Sequence, residues 1–340
     1  MLKNRYVWIL AECYYGFFGV FRFVLAGLLV FSHFRQFWAP QVISVLLTPF
    51  GSGDIAVMLF FIVSGFVISE ALLCFYNNRV GAFLLNRSLR IYPPFIYALI
   101  LSIVLHVVIA LLGYEVMFWG GGFLDQWRWS TVWKNLFSVF DGRIPLAKEN
   151  YYIFVRYVWA IVVEVQFYIC MAFLFYLYMT WNNNRKKFYI AILAGFIMGL
   201  LILVNYMDGV LKFLSYVPFF LIGCVLYIVK DAKRYRLLFY TILVASIVMS
   251  FFHVYEKYEV NGLLLYFVLL AIFIYLVEVV SGDGKKYTKN IDQYLGNLSY
   301  PLYLNHFYIE ILTYSITKDR QEQQCRISPY LLLEGELELL

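Results

Sequence analysis

The chain is built mainly from apolar stretches of about 20 residues that alternate with short polar segments. Because an α-helix rises 1.5 Å per residue, such a stretch spans the ~30 Å hydrocarbon core of a bilayer. We therefore predict an all-α polytopic membrane protein, a bundle of about nine to ten transmembrane helices within 1–316, followed by a polar tail at 317–340. The predicted helices are 16–36, 55–76, 92–113, 154–179, 188–206, 213–229, 236–253, 262–280 and 298–316.

The composition supports this class of protein. Hydrophobic residues make up 63% of the 340 residues and charged residues 14%, whereas soluble domains contain about 25% charged residues. Basic residues cluster in the polar segments after the second, fourth, sixth and eighth predicted helices. By the positive-inside rule, this alternation predicts a cytoplasmic N-terminus. We therefore attribute the net charge of +6 to topology and expect no nucleic-acid partner. The cysteines are scattered without metal-ligand spacing, so we expect no metal site.

Two ionisable residues lie within the first predicted helix. Arg22 and His33 are eleven positions apart, which is three helical turns plus about 20°, so both side chains point the same way at a separation of ~16 Å along the axis. Charged groups inside a membrane are costly and frequently functional, and histidine transfers protons near neutral pH. The alternative is that Arg22 extends to the inner surface and His33 forms hydrogen bonds at the outer boundary.

Two further ionisable residues, Glu164 and His306, lie within other predicted helices. Glu164 lies in the fourth one, at a depth that matches His33, so that its carboxylate could orient the imidazole. A structural ion pair with Arg22 or Arg156 is the alternative. His306 lies midway along the last predicted helix, where a packing role is the alternative to a functional one.

A basic pair precedes two prolines at the third predicted helix. Arg87 and Arg90 are three residues apart and therefore neighbours on a helix. We expect Pro93 and Pro94 to occupy the first turn of that helix, where proline is well tolerated. A helix N-terminus with two guanidinium groups suits a phosphate. Simple anchoring at the cytoplasmic surface is the alternative.

The longest polar segment, 114–153, is rich in Trp, Tyr and Gly. On the predicted topology it lies outside the membrane. Its aromatic rings either form an interfacial belt or stack on sugar rings, and the sequence leaves both interpretations open.

Five ordered segments within residues 20–310 together resemble the integral-membrane acyltransferase-3 family. A final helix normally follows the last of them in that family, and the tail departs from this pattern. The segments are the Arg22–His33 pair, "LFFIVSGFVIS" at 59–69, the run of Arg87, Arg90 and Pro93, "WAIVVEVQFY" at 159–168 and "LGNLSYPLYLNH" at 295–306.

The resemblance implies a multi-pass O-acyltransferase of the bacterial inner membrane. Such a protein moves an acyl group, most commonly acetyl, from cytoplasmic acyl-CoA to a hydroxyl of an exported or cell-surface glycan. Acyl-CoA is then a donor substrate, and no permanently bound cofactor is expected. The alternative is a transporter or flippase of a glycan or lipid-linked sugar, although no inverted internal repeat supports it.

The resemblance also implies roles for individual residues. His33 is expected to be catalytic, either as a general base on the acceptor hydroxyl or as the first acceptor of the acyl group. Arg22 and Glu164 are expected to support it. Arg87 and Arg90 are expected to hold the phosphates of acyl-CoA. Possible supporting residues are His306, Tyr300 and Gln166.

Overall fold

All regular elements in the described part of the chain are helices. The predicted helix at 188–206, the segment 114–127 and the tail at 317–340 lie outside the described residues. The computed structural model describes residues 17–38, 51–76, 79–113, 128–139, 153–155, 157–183, 213–229, 236–278, 290–306 and 308.

The described helices confirm the predicted class, an all-helical membrane protein. Four of them contain stretches that are long and apolar enough to cross a membrane: Ser52–Leu73, Val80–Leu111, Val158–Leu177 and Leu237–Glu278. The count of nine to ten and the side of the N-terminus stay predictions. In chain order the helices are α1 Phe18–Trp38, α2 Ser52–Glu70, α3 Val80–Leu111, α4 Trp129–Phe137, α5 Val158–Asn183, α6 Phe213–Ile228, α7 Arg236–Glu278 and α8 at 290–306.

Helix α3 begins at Val80, so the prediction that it starts near residue 92 is wrong. Pro93 and Pro94 lie inside the helix and not in its first turn. The sequence was misleading because polar residues precede the prolines. A buried stripe with a spacing of four residues nevertheless runs through this segment, and Arg87 lies on it between Phe83 and Ile91.

Helix α7 consists of two rods that meet at Glu259, where φ is 54° and ψ is −151°. A non-glycine residue with positive φ is uncommon, and this backbone conformation interrupts the helical geometry. The break divides this region into two helical parts, as predicted, but it lies at Glu259 and the helical structure continues up to it, whereas the predicted helices end at 253 and begin at 262. Beside the break, Lys257 forms an ion pair of 2.7 Å with Asp54 in the first turn of α2.

Helix α2 is the central helix of the described bundle. Of its most apolar 18-residue window, 83% is buried, against 33–44% for the other three long apolar stretches. It crosses α6 with backbone in contact with backbone. A Cβ atom on Gly65 would lie 2.1 Å from the carbonyl oxygen of Phe220, and one on Gly223 would lie 1.9 Å from that of Ile62. Glycine at both positions is what permits this crossing.

The starts of α1 and α8 are joined by a buried carboxylate. Oδ1 of Asp292 accepts a hydrogen bond of 2.8 Å from the backbone N–H of Val20, one of the first amides of α1. These amides have no partner within the helix, so the carboxylate caps it. Gly19 allows the approach, because a Cβ atom there would lie 1.8 Å from the Asp292 carbonyl oxygen. The two helices run side by side from this point.

Helix α4 is the described part of the aromatic segment at 114–153. Trp129, Trp133 and Phe137 are exposed on it, and the last two rings stack with centroids 5.9 Å apart. Its opposite face is polar and buried. There Oδ1 of Asn135 accepts a hydrogen bond of 2.9 Å from the backbone N–H of Phe154. An exposed aromatic face over a polar buried face fits contact with lipid.

Candidate functional site

A cavity of about 850 Å³, its open mouth included, lies between α1, α2, α3, α5 and α8. Its lining brings together five of the residues singled out from the sequence: Arg22, Arg87, Arg90, Glu164 and Tyr300. Three guanidinium groups thus face one carboxylate among the described lining residues. The excess of positive charge suits an anionic ligand, and guanidinium groups bind phosphate oxygens in a bidentate manner.

The remaining lining of the cavity is mostly apolar. Val57, Phe60 and Phe61 contribute from α2, and Ala160 and Ile161 from α5. A cavity with a few convergent polar groups on an apolar wall is typical of a small-molecule site.

Glu164 is held by two neighbours inside the cavity. Its Oε1 accepts a hydrogen bond of 2.9 Å from Oγ of Ser64 and another from the phenol of Tyr168. Within the described residues it forms no ion pair with Arg22, and the structure does not bring it into hydrogen-bonding contact with His33. Gln166, two residues further along α5, is half-buried and does not line the cavity.

Arg87 is buried and stacked between aromatic rings. Its Cζ lies 5.5 Å from the ring centre of Phe83 and 5.6 Å from that of Tyr168. Its Nε is buried and has no hydrogen-bond partner. A buried N–H without a partner is costly, so a ligand that supplies an oxygen there gains affinity. Arg90, by contrast, is exposed.

The expected anion site at a helix N-terminus is therefore corrected. Both arginines lie within α3, well after its start at Val80, and the helix end does not contribute. In the structure, Arg87 and Arg90 line one cavity together with Arg22. A second cavity of about 580 Å³, its open side included, shares Arg87, Ile91 and Tyr168 with the first, so these three residues lie between the two spaces.

His33 lies in a cluster of rings that the sequence did not predict. The phenol oxygen of Tyr157 is 2.9 Å from its Nδ1, and the ring centres of His33 and His306 are 5.2 Å apart. Tyr157 also lies 4.5 Å from His306 between ring centres. The predicted supporting residue His306 is thus beside His33, although 273 positions separate them in the chain.

Tyr303 connects the cavity to this cluster. It lines the cavity, its phenol donates a hydrogen bond of 2.8 Å to the carbonyl oxygen of Tyr157, and its ring centre is 6.0 Å from that of His306. His33 itself is not among the lining residues. Arg22 lines the cavity, and His33 lies against His306 of α8.

The hydrogen bond of His306 defines its tautomer. Nδ1 lies 2.5 Å from the carbonyl oxygen of Tyr303 and donates to it. Nε2 therefore carries the lone pair, and it is buried without a hydrogen-bond partner. A hydroxyl group that reached this atom would satisfy it.

The tripeptide Ser64–Gly65–Phe66 shows how sequence builds this site locally. Ser64 holds Glu164. Gly65 allows α6 to cross, and its carbonyl oxygen accepts a hydrogen bond of 3.3 Å from Sγ of Cys224. Phe66 is fully buried and packs against Phe273 of α7 with ring centres 5.9 Å apart. Three adjacent residues on α2 thus serve the cavity, the crossing and the core.

Comparison with models of protein families identifies residues 15–333 as an "Acyltransferase domain". The match covers nearly the whole chain and includes every residue of the cavity and of the histidine cluster. No curated protein and no solved structure matches the chain.

Proposed function

The chain belongs to the integral-membrane acyltransferase-3 family, and from this premise we propose that it is a membrane-bound O-acyltransferase. The proposed reaction moves an acetyl group from cytoplasmic acetyl-CoA to a hydroxyl of an exported or cell-surface glycan. The proposed location is the bacterial inner membrane, with the N-terminus in the cytoplasm. Family membership favours group transfer over the alternative of transport without covalent chemistry.

The observation that carries the proposal is the junction of an arginine-lined cavity with a pair of histidines at Tyr303. Coenzyme A carries several phosphates on a long, thin arm. In the proposal the exposed Arg90 and the buried Arg87 bind phosphate oxygens, and Arg22 adds positive charge in the same cavity. The arm carries the thioester past Tyr303 toward His33.

The proposed chemistry uses His33 as a general base. Its Nε2 takes the proton of the acceptor hydroxyl while the oxygen forms a bond to the thioester carbonyl carbon. The carbon–sulfur bond then breaks, and the departing thiolate takes the proton from the imidazolium. Histidine suits both transfers because its unperturbed pKa is near neutrality. The unpartnered Nε2 of His306 accepts a hydrogen bond from a second hydroxyl of the same sugar.

The test replaces His33 and a matched control histidine. His106 is a buried histidine in a membrane helix, with its Nδ1 2.7 Å from the Ser102 carbonyl oxygen, and it does not line the cavity. His33→Ala is expected to lower transfer from radiolabelled acetyl-CoA by about a hundredfold or more, and His106→Ala to retain it. The readout is base-labile label in surface polysaccharide, with membrane insertion checked by immunoblot. Normal labelling by His33→Ala would end the proposal.

A further inference from the structure

Tyr157 is the side chain that touches both histidines of the cluster. It lies immediately before the first residue of α5, with its phenol oxygen 2.9 Å from Nδ1 of His33. Its ring centre is 4.5 Å from that of His33 and 4.5 Å from that of His306. The contact with His33 that was expected of Glu164 is thus made by Tyr157, the residue that precedes α5.

The direction of this hydrogen bond follows from what a general base has to do. A neutral imidazole has one N–H and one lone pair, and an imidazolium donates from both nitrogens. If the phenol of Tyr157 instead donated its proton to Nδ1, the lone pair would lie on Nδ1. This hydrogen bond would then have to reverse when Nδ1 of His33 takes a proton. Donation from Nδ1–H to the phenol oxygen is the arrangement that stays intact before and after proton uptake, and it leaves the lone pair on Nε2.

We propose that Tyr157 is a positioning residue for His33, accepting Nδ1–H and thereby directing the Nε2 lone pair to the acceptor hydroxyl. This inference rests on the proposed function. It specifies a neutral phenol in the place where many hydrolases have a carboxylate. A carboxylate next to His33 would bring an additional charge into the membrane, and the phenol performs the task without one.

The position of Tyr157 is itself fixed by α8. The phenol of Tyr303 donates a hydrogen bond of 2.8 Å to the Tyr157 carbonyl oxygen. His306 packs on its ring and is anchored through Nδ1 to the Tyr303 carbonyl oxygen. The phenol oxygen is therefore placed against His33 by contacts to backbone and ring, and removal of the oxygen alone leaves these contacts in place.

The first test is Tyr157→Phe, which keeps the ring and removes the oxygen. Acetyl transfer from radiolabelled acetyl-CoA to polysaccharide isolated from cells that lack the protein is expected to show a kcat lower by about tenfold to a hundredfold. The KM for acetyl-CoA is expected to stay within about twofold, because the lost interaction strengthens only in the transition state. The matched control is Tyr308→Phe, whose phenol donates to the carbonyl oxygen of Ala98 and touches neither histidine; it is expected to retain kcat.

The second test measures the direction of the hydrogen bond. Ring fluorination makes the phenol oxygen a weaker acceptor and its O–H a stronger donor. With 3-fluorotyrosine and 3,5-difluorotyrosine at position 157, assayed where the phenols stay protonated, kcat is expected to fall in steps. A constant or rising kcat would overturn the proposal, since a purely structural ring would not respond and a donating phenol would respond in the opposite sense.

The outcomes separate this inference from the proposed function. If Tyr157→Phe transfers acetyl at the normal rate while His33→Ala is inactive, the positioning role is wrong and the enzyme assignment stands. If His33→Ala also transfers at the normal rate, the proposed function fails. A loss in Tyr157→Phe that appears equally in Tyr308→Phe would show general damage to packing and would also overturn the inference.

Discussion

The crossing of α2 and α6 makes a quantitative prediction about Gly223. An alanine Cβ at this position would lie 1.9 Å from the Ile62 carbonyl oxygen and 2.7 Å from the Phe66 backbone nitrogen. Both are backbone atoms, so no side-chain rotation relieves the clash. An ordinary contact begins at 3.4 Å, so the helices have to separate by about 1.5 Å at this point. Overpacking of a core typically costs about 1–3 kcal/mol, and we expect a value near the upper end because the backbone itself has to move.

The assay compares Gly223→Ala with Gly27→Ala. A Cβ atom at Gly27 meets nothing within 4 Å, and alanine gains about 0.5–1 kcal/mol over glycine within a helix. Because unfolding of membrane proteins is commonly irreversible, the measurement is the half-life of the folded protein in detergent at a fixed elevated temperature, followed by tryptophan fluorescence. Gly223→Ala is expected to shorten it by about tenfold or more, and Gly27→Ala to leave it equal or longer.

The same substitution should reach the cavity. Gly65 lies at the crossing, and its neighbour Ser64 donates a hydrogen bond of 2.9 Å to Glu164. Helix α6 also packs on α5, where Phe220 stacks on Phe167, so a shift of α2 away from α6 also moves Ser64 away from Glu164 and weakens this hydrogen bond. Gly223→Ala is therefore expected to lose acetyl transfer at temperatures where it is still folded. A half-life and an activity equal to those of Gly27→Ala would refute the reasoning that the two backbones are in contact.

Three further predictions concern the site. Replacing Arg87 and Arg90 together with Gln is expected to raise the KM for acetyl-CoA by about tenfold or more with little change in kcat, because phosphate contacts bind substrate and transition state alike; an unchanged acetyl-CoA dependence would remove their assigned role. Glu164→Gln removes the negative charge from a cavity lined by three arginines. Because the cavity then attracts the phosphates more strongly, the KM for acetyl-CoA is expected to fall by roughly threefold to tenfold. A higher KM would contradict this electrostatic account. His306→Gln is expected to raise the KM for polysaccharide by about tenfold while the KM for acetyl-CoA is unchanged, because one hydrogen bond to the sugar is lost. Initial rates at varied polysaccharide concentration measure this effect, and a change confined to kcat would assign His306 to the chemistry instead.

Hydropathy located the described membrane helices well because the bilayer sets both their length and their apolar character. It failed at the start of α3. Asn86, Arg87, Ser88 and Arg90 resemble a loop in composition, and two prolines follow them. In the structure Arg87 is buried between two aromatic rings beside a cavity. A hydropathy scale counts every arginine as polar and therefore cannot predict such a buried position.

The sequence indicated which residues are candidates for the site better than it indicated which of them touch each other. The helical spacing of Arg22 and His33 predicted that they share one face of the first helix, but not which helix that face meets. Depth alone suggested Glu164 as the partner of His33, yet Tyr157 makes the contact. Tyr157 directly precedes α5 and Glu164 lies seven residues further along the chain, which corresponds to about 10 Å in depth along a helix. Which of the two reaches His33 depends on how α1, α5 and α8 pack, and a single sequence does not state this.

The pairing of α1 with α8 has a consequence for biosynthesis. The ribosome completes His33 early and His306 near the end, and the capping carboxylate of Asp292 is also made late. During translation the first helix is therefore made before the partners of its His33 ring and its Val20 amide exist. On the proposed assignment, a product that stops before the last helices lacks His306 and Asp292 and cannot complete the histidine cluster.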